Sequence, residues 1–237
     1  AARLWHRLRD ALGEEPDPNL VRAVLATAAS VPQAALDRIL PLGDRQTVRQ
    51  VCGYGIIDEE MSTDSADRRV TLVAQGRIKI DSFRLYEVPV PPEFRQARGP
   101  KQVIVALAFD PPVRRRRAQY LGVEMNALLI RGKTVDEIVE AYRAVTREER
   151  EVAKRDERTL PAAFQSPYKC PLEPGTTVLE SSTLQRSEWT FQREGQDYGG
   201  SWYLLVRAER TWAPAEITEQ DFGLAVTLHA NEPQLYN

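Results

Sequence analysis

The sequence predicts an α+β protein, in which a helical N-terminal part precedes a mainly antiparallel, jelly-roll-like β-sandwich with one inserted helix. Apolar residues at Trp5, Leu8 and Leu12 recur at helical spacing. From Arg69 onward, short apolar or alternating runs separated by Gly and Pro are typical of strands and turns. Residues 134–137, Thr-Val-Asp-Glu, form a capping box that marks the start of the inserted helix.

The helical part is predicted to span residues 1–66 and to contain at least two helices. Gly13 ends the first helix, and Asp17 caps a second one whose first helical residue is Pro18. Residues 33–40 are a candidate short third helix. Residues 58–66 are predicted to form a brief helix or a loop.

The β part is predicted to span residues 67–237. Candidate strands cover residues 70–73, 78–88, 102–109, 120–130, 177–179, 187–193, 201–210 and 223–230. The inserted helix should cover about residues 134–157, although its second half, from Thr146, is almost wholly charged.

Composition and charge exclude several classes of function. The 237 residues are 42% hydrophobic, and 32 basic residues face 34 acidic ones for a net charge of -2. This balance provides no global field to attract nucleic acid. No apolar run approaches the roughly 20 residues that span a bilayer, so no membrane association is expected. Cys52 and Cys170 are too few for a disulfide scaffold, which favours reduced thiols in the cytoplasm.

A series of short motifs near the N-terminus resembles the C-terminal end of the catalytic domain in subtilisin-like serine proteases (peptidase family S8). Ala1-Ala2-Arg3-Leu4 matches the start of the helix that follows the family's catalytic serine. Residues 25–28, Leu-Ala-Thr-Ala, match the end of the next helix, and residues 53–58, Gly-Tyr-Gly-Ile-Ile-Asp, match a closing turn. The order and spacing of the motifs make the resemblance fairly specific. It implies that residues 1–66 are the helical C-terminal lobe of an α/β subtilase core.

The same resemblance implies a bacterial serine endopeptidase whose Asp–His–Ser triad lies upstream of this chain. No catalytic, cofactor-binding or metal-binding residue can be assigned within the chain, which alone should be inactive. Residues 103–112, followed by Arg117 and Tyr120, are similar to the β-rich extension of some large bacterial subtilases. The implied partners are the upstream catalytic portion, a protein or peptide substrate and an AAA-type ATPase.

Several residues have both a functional and a structural interpretation. His6 and His229 match no triad pattern and are interpreted as structural or surface histidines. The run Arg114–Arg117 is either a phosphate or nucleic-acid contact or, as we favour, a solvated loop; in a third interpretation Arg117 anchors the sandwich to the protease core. The acidic residues of segment 58–64 lack the spacing of a calcium loop, so we predict no metal there.

The leading hypothesis is therefore a non-catalytic C-terminal part of a subtilisin-like endopeptidase, with a sandwich that adds stability or recognises substrates or partners. It predicts an exposed apolar surface on the first helix, around Trp5, Leu8 and Leu12. The alternative is a stand-alone β-sandwich that binds a protein or glycan. Tyr198, Trp202 and Trp212 would then be candidate binding aromatics.

Overall fold

Two antiparallel sheets stacked face to face form the centre of the molecule, which was analysed as a computed structural model. The structure describes residues 2–57, 69–97, 99–116, 119–152, 169–191 and 200–230. Its helices are α1 (Ala2–Leu12), α2 (Pro18–Ala28), α3 (Gln33–Ile39), α4 (Arg45–Cys52), α5 (Pro92–Gln96), α6 (Val135–Val152) and α7 (Thr176–Leu179). Its strands are β1 (Ala29–Ser30), β2 (Ile56–Ile57), β3 (Arg69–Lys79), β4 (Ser82–Val88), β5 (Lys101–Phe109), β6 (Val123–Arg131), β7 (Leu184–Phe191), β8 (Trp202–Arg210) and β9 (Glu219–Ala230).

The first of the stacked sheets has the strand order β3-β9-β5-β7, and the second has the order β4-β8-β6. The short strands β1 and β2 form a third antiparallel sheet. Alternate residues of the two large sheets point into the space between them and form the main core. The largest fully buried side chains of this core include Phe94, Phe109, Trp202 and Phe222.

Small residues on the outer face of the four-stranded sheet allow α2 to pack closely against it. Ala106, Ala108 and Ala225 contact the buried face of α2, whose Leu20 is fully buried. A Cβ atom at Gly223 would overlap the backbone nitrogen of Leu20. The helix axis therefore lies close to the sheet, and α2 buries its apolar stripe there.

The outer face of the three-stranded sheet is covered in part by α6. Ile138 and Tyr142 of this helix pack against Leu128, Ile130 and Leu205. The capping box predicted at residues 134–137 is confirmed. Thr134 Oγ1 accepts from the backbone N–H of Glu137, and the Glu137 carboxylate accepts from the backbone N–H of Thr134 at 2.8 Å.

The predicted fold class is wrong. The described chain is mostly β with three antiparallel sheets, and its N-terminal helices do not form a separate α/β lobe. Leu4 and Leu8 of α1 are 3% and 6% exposed, because α1 packs on α2 and α2 packs on the sheet. Of the residues in the expected apolar surface, Leu8 is buried and Trp5 and Leu12 are half-buried, so α1 exposes little of that surface. Helix α2 covers α1 and is itself supported by distant strands, which no local sequence pattern reveals.

Individual elements differ from the sequence predictions in informative ways. The Asp17 cap is confirmed, since its carboxylate accepts from the backbone N–H of Asn19 at 2.7 Å. The predicted strand at residues 177–179 is wrong, because this segment belongs to α7. Helix α4 and the β1–β2 pair were not predicted. The prediction for residues 58–66 lies outside the described residues.

Candidate functional site

A cleft of about 390 Å³ opens beside the C-terminal end of α2. Ligand sites in proteins commonly have volumes of roughly 300–1,000 Å³, so the cleft is large enough for a small molecule. One wall comes from the chain between α2 and β2, including α3 and α4. The floor is the part of the four-stranded sheet that α2 does not cover.

Strand register explains why the floor of the cleft is polar. Beneath α2 the outward-facing residues of β5 and β9 are small, as described above. Further along the same strands they become longer and polar: Gln102 lies opposite His229, and His229 lies opposite Arg69. In the next row, Ile104 lies between Thr227 and Glu188. The sheet thus changes from a surface that packs a helix to one that can contact a polar ligand.

Glu188 is the centre of a polar network in the cleft. Its carboxylate accepts a hydrogen bond from Gln102 Nε2 at 3.2 Å and forms an ion pair with Arg186 Nη2 at 3.1 Å. Arg45 Nη1 of α4 lies 3.8 Å from the other carboxylate oxygen. A single carboxylate thus contacts two guanidinium groups.

Tyr54 fixes the 53–57 segment to the edge strand β7. Its hydroxyl donates to the carbonyl of Leu184 at 2.7 Å and accepts from the backbone N–H of Arg186 at 3.1 Å. The Arg186 guanidinium lies 5.9 Å from the centre of the Tyr54 ring. Burial raises the pKa of Tyr54 above its ordinary value, so the hydroxyl remains protonated near neutral pH.

The cleft wall that contains α3 and α4 combines apolar and basic side chains. Leu36, Leu40 and Val48 lie on it together with Arg45 and Arg49. The orientation of α4 is supported by a capping box, in which Asp44 accepts from the backbone N–H of Thr47 at 2.9 Å. This hydrogen bond lowers the pKa of the Asp44 carboxyl.

The residues that line the cleft carry an excess of positive charge. They include the four arginines Arg45, Arg49, Arg69 and Arg186 and the two glutamates Glu173 and Glu188, so basic residues outnumber acidic ones in the lining. Arg186 Nε is buried and has no hydrogen-bond partner among the described residues. The whole chain has a net charge of -2, so the positive charge is local to this site.

The structure places the candidate residues from the sequence in different environments. His6 is exposed on α1, whereas His229 lies in the cleft floor. Cys52 is half-buried and Cys170 is buried, and both thiols are free. The ranges that the structure describes contain no group of three or more His, Cys, Asp or Glu residues placed to hold a metal ion.

The arginine run and the candidate binding aromatics lie in different environments. Arg114 lies 4.3 Å above the ring of Trp212, whose indole donates to the carbonyl of Gln119. Arg115 and Arg116 are exposed, and Arg117 lies outside the described residues. Trp202 is fully buried in the core, so it cannot contact a ligand at the surface. Tyr198 also lies outside the described residues.

Sequence reasoning missed the cleft arginines because nothing in their local patterns distinguishes them. Arg69 begins β3, Arg186 lies in β7, and both Arg45 and Arg49 belong to α4, a helix that was not predicted. Only the antiparallel pairing of β3, β9, β5 and β7 brings these segments to one place. The available signal was the change between small and polar residues along the outward-facing positions of β5 and β9.

The chain is similar in sequence to a longer protein. The chain is 41% identical over 211 residues to the uncharacterized protein y4bN of Sinorhizobium fredii (strain NBRC 101917 / NGR234). The match covers 89% of the chain but 46% of that protein, so the chain spans about half the length of the curated relative. No protein-family model matches the chain. Within the described ranges, no helix has the length and apolar character needed to cross a membrane.

Proposed function

We propose that the chain is the non-catalytic C-terminal part of a subtilisin-like serine endopeptidase whose catalytic triad lies upstream of it. The observation that carries the proposal is that the residues directly after one resembling motif pair with another motif. Helix α2 ends with the 25–28 motif, and strand β1 follows it directly. This strand pairs with β2 of the glycine motif, so that Ala29 lies opposite Ile57 and Ser30 lies opposite Ile56. Gly55 has a φ of 96°, and a Cβ there would overlap the Ser30 carbonyl.

The length of the relative supports a larger parent protein. More than half of y4bN lies outside the matched region, which leaves room for a catalytic domain. The 237-residue chain would then contribute stability and recognition of a protein or peptide substrate. The resemblance adds an AAA-type ATPase as a partner, and two free thiols fit a cytoplasmic setting.

Exposed apolar residues between α3 and β2 supply a surface where the rest of such a protein would pack. Large hydrophobic side chains are strongly exposed at Leu42 (84%), Val51 (67%) and Ile56 (67%). Leu40 and Ile57 are exposed by 43% and 45%. An exposed apolar surface of this kind commonly marks an interface. We therefore expect the interface surface at Leu42, Val51, Ile56 and Ile57 rather than on α1.

Fluorophosphonate labelling of the protein from its native source tests the proposal, because the probe reacts with an activated serine. We expect intact mass to show a labelled species larger than 26.8 kDa that contains this sequence. A single unlabelled species of 26.8 kDa would contradict the proposal and favour a stand-alone binding module.

Substitutions in the labelled parent protein test the interface surface separately. Val51→Asp and Ile56→Asp should each destabilise the parent by about 2 kcal/mol or more, because an unpaired carboxylate would be buried. Val178→Asp is the matched control, since Val178 is 58% exposed and lies in α7. Equal melting temperatures for all three variants would place the interface elsewhere.

A further inference from the structure

We infer that the cleft between α2, α4 and the four-stranded sheet binds a phosphate-bearing small organic molecule. This site goes beyond the proposed protease function, because its arginines lie outside the resembling motifs. Local charge, the shape of the cleft and the division of its walls into a basic part and an apolar part support the assignment.

The charge of the cleft fits a multiply charged anion. Four guanidinium groups line it, and the Glu188 carboxylate contacts those of Arg186 and Arg45. Arginine forks recognise phosphate through paired hydrogen bonds, and a lining of four arginines and two glutamates favours an anionic ligand. A phosphate has more oxygens and more negative charge than a carboxylate, so it can accept hydrogen bonds from more of these guanidinium groups.

Arg186 lines the cleft and carries a buried donor that the described residues leave unsatisfied. Its side chain is 15% exposed, and its Nη2 is engaged by Glu188 at 3.1 Å. The buried Nε has no hydrogen-bond partner among the described residues, although the side chain lines the cleft. Leaving a buried charged N–H without a partner is costly, and negative charge on a ligand in the cleft would offset part of that cost.

The wall formed by α3 and α4 suits the organic part of the ligand. Leu36, Leu40 and Val48 present apolar surface opposite the polar strands, and Leu40 is 43% exposed. Small-molecule sites typically combine such an apolar wall with a few convergent polar groups. At about 390 Å³ the cleft is too small for a folded partner and too large for a free phosphate ion alone.

Phenyl phosphate is a suitable probe, because it joins one phosphate to one apolar ring. Isothermal titration of the full 237-residue chain should detect phenyl phosphate binding. Inorganic phosphate should bind at least about tenfold more weakly, since it lacks the ring. Benzoate, which has the ring and a single negative charge, should also bind at least about tenfold more weakly.

Variants of α4 test the location of the site. Arg45 is 73% exposed, so Arg45→Gln and Arg49→Gln on the helix surface should leave the fold intact. Each should weaken phenyl phosphate binding about tenfold, and the double variant more than either. The matched control is Arg115→Gln with Arg116→Gln, which removes the same charge from an exposed loop outside the cleft.

The outcomes separate the inference from its competitors. Binding that is lost in the α4 double variant and kept in the loop control supports the site. Equal weakening in both double variants would overturn it in favour of unspecific attraction between charges. Absence of phenyl phosphate binding, or equal affinity for benzoate, would overturn it as well. Equal affinity for inorganic phosphate would overturn the inference that the ligand carries an organic group, and would leave a simple phosphate site.

Discussion

At the scale of single residues, the two cysteines have opposite environments. Cys170 is fully buried, and burial raises the pKa of its thiol to about 12. The thiolate is the reactive form, so Cys170 should be inert near neutral pH. Cys52 is half-buried at the end of α4 and accessible in part.

Alkylation measures this difference directly. At pH 8 the native chain should gain one iodoacetamide adduct, at Cys52, and two adducts in urea. Cys52→Ala should stay unmodified until it is unfolded. Equal labelling rates for the two thiols in the native chain would show that Cys170 is accessible.

The raised pKa of Cys170 also has a consequence for stability. An unfolded thiol ionises near pH 9, whereas the native Cys170 keeps its proton to a pH of about 12. Between these values the native state binds more protons, so the free energy of unfolding should fall as pH rises. Cys170→Ala should show a smaller alkaline loss of stability than Cys52→Ala.

At the scale of elements, α2 depends on the close approach at Gly223. Substitution by Ala would place a methyl group against the backbone of Leu20 and Asn19, which cannot move without lifting the helix. Gly223→Ala should therefore lower the free energy of unfolding by about 2–4 kcal/mol, measured by urea denaturation. Gly175→Ala is the control, because a Cβ there meets nothing within 4 Å. A similar small effect for both variants would show that α2 does not pack closely on β9.

Local signals predicted elements well and long-range pairing poorly. The caps at Asp17 and Thr134 were predictable because each hydrogen bond joins residues within three positions. The segment 176–179, Thr-Thr-Val-Leu, has β-branched residues that favour a strand, yet it forms a helical turn. The cleft requires strands β3, β5, β7 and β9 to pair, and no local pattern predicts that pairing.

At the scale of the whole molecule, the burial of α2 bears on the predicted division between residues 1–66 and 67–237. The outer faces of β5 and β9 carry alanines that pack against α2. A shortened chain of residues 67–237 should therefore expose this face and bind a hydrophobic dye, whereas the full chain should bind little. It should also melt at a lower temperature. A dye-free shortened chain with an unchanged melting temperature would support two independent domains.

The central position of β9 has a consequence for how the protein is made. β9 (Glu219–Ala230) lies between β3 and β5, so the four-stranded sheet cannot close until this late segment has left the ribosome. Until then β3 and β5 lack their shared neighbour, and α2 lacks part of the sheet surface on which it packs. Nascent chains with unpaired strand edges are prone to aggregation. We therefore expect this protein to need chaperones during synthesis until β9 has paired with β3 and β5.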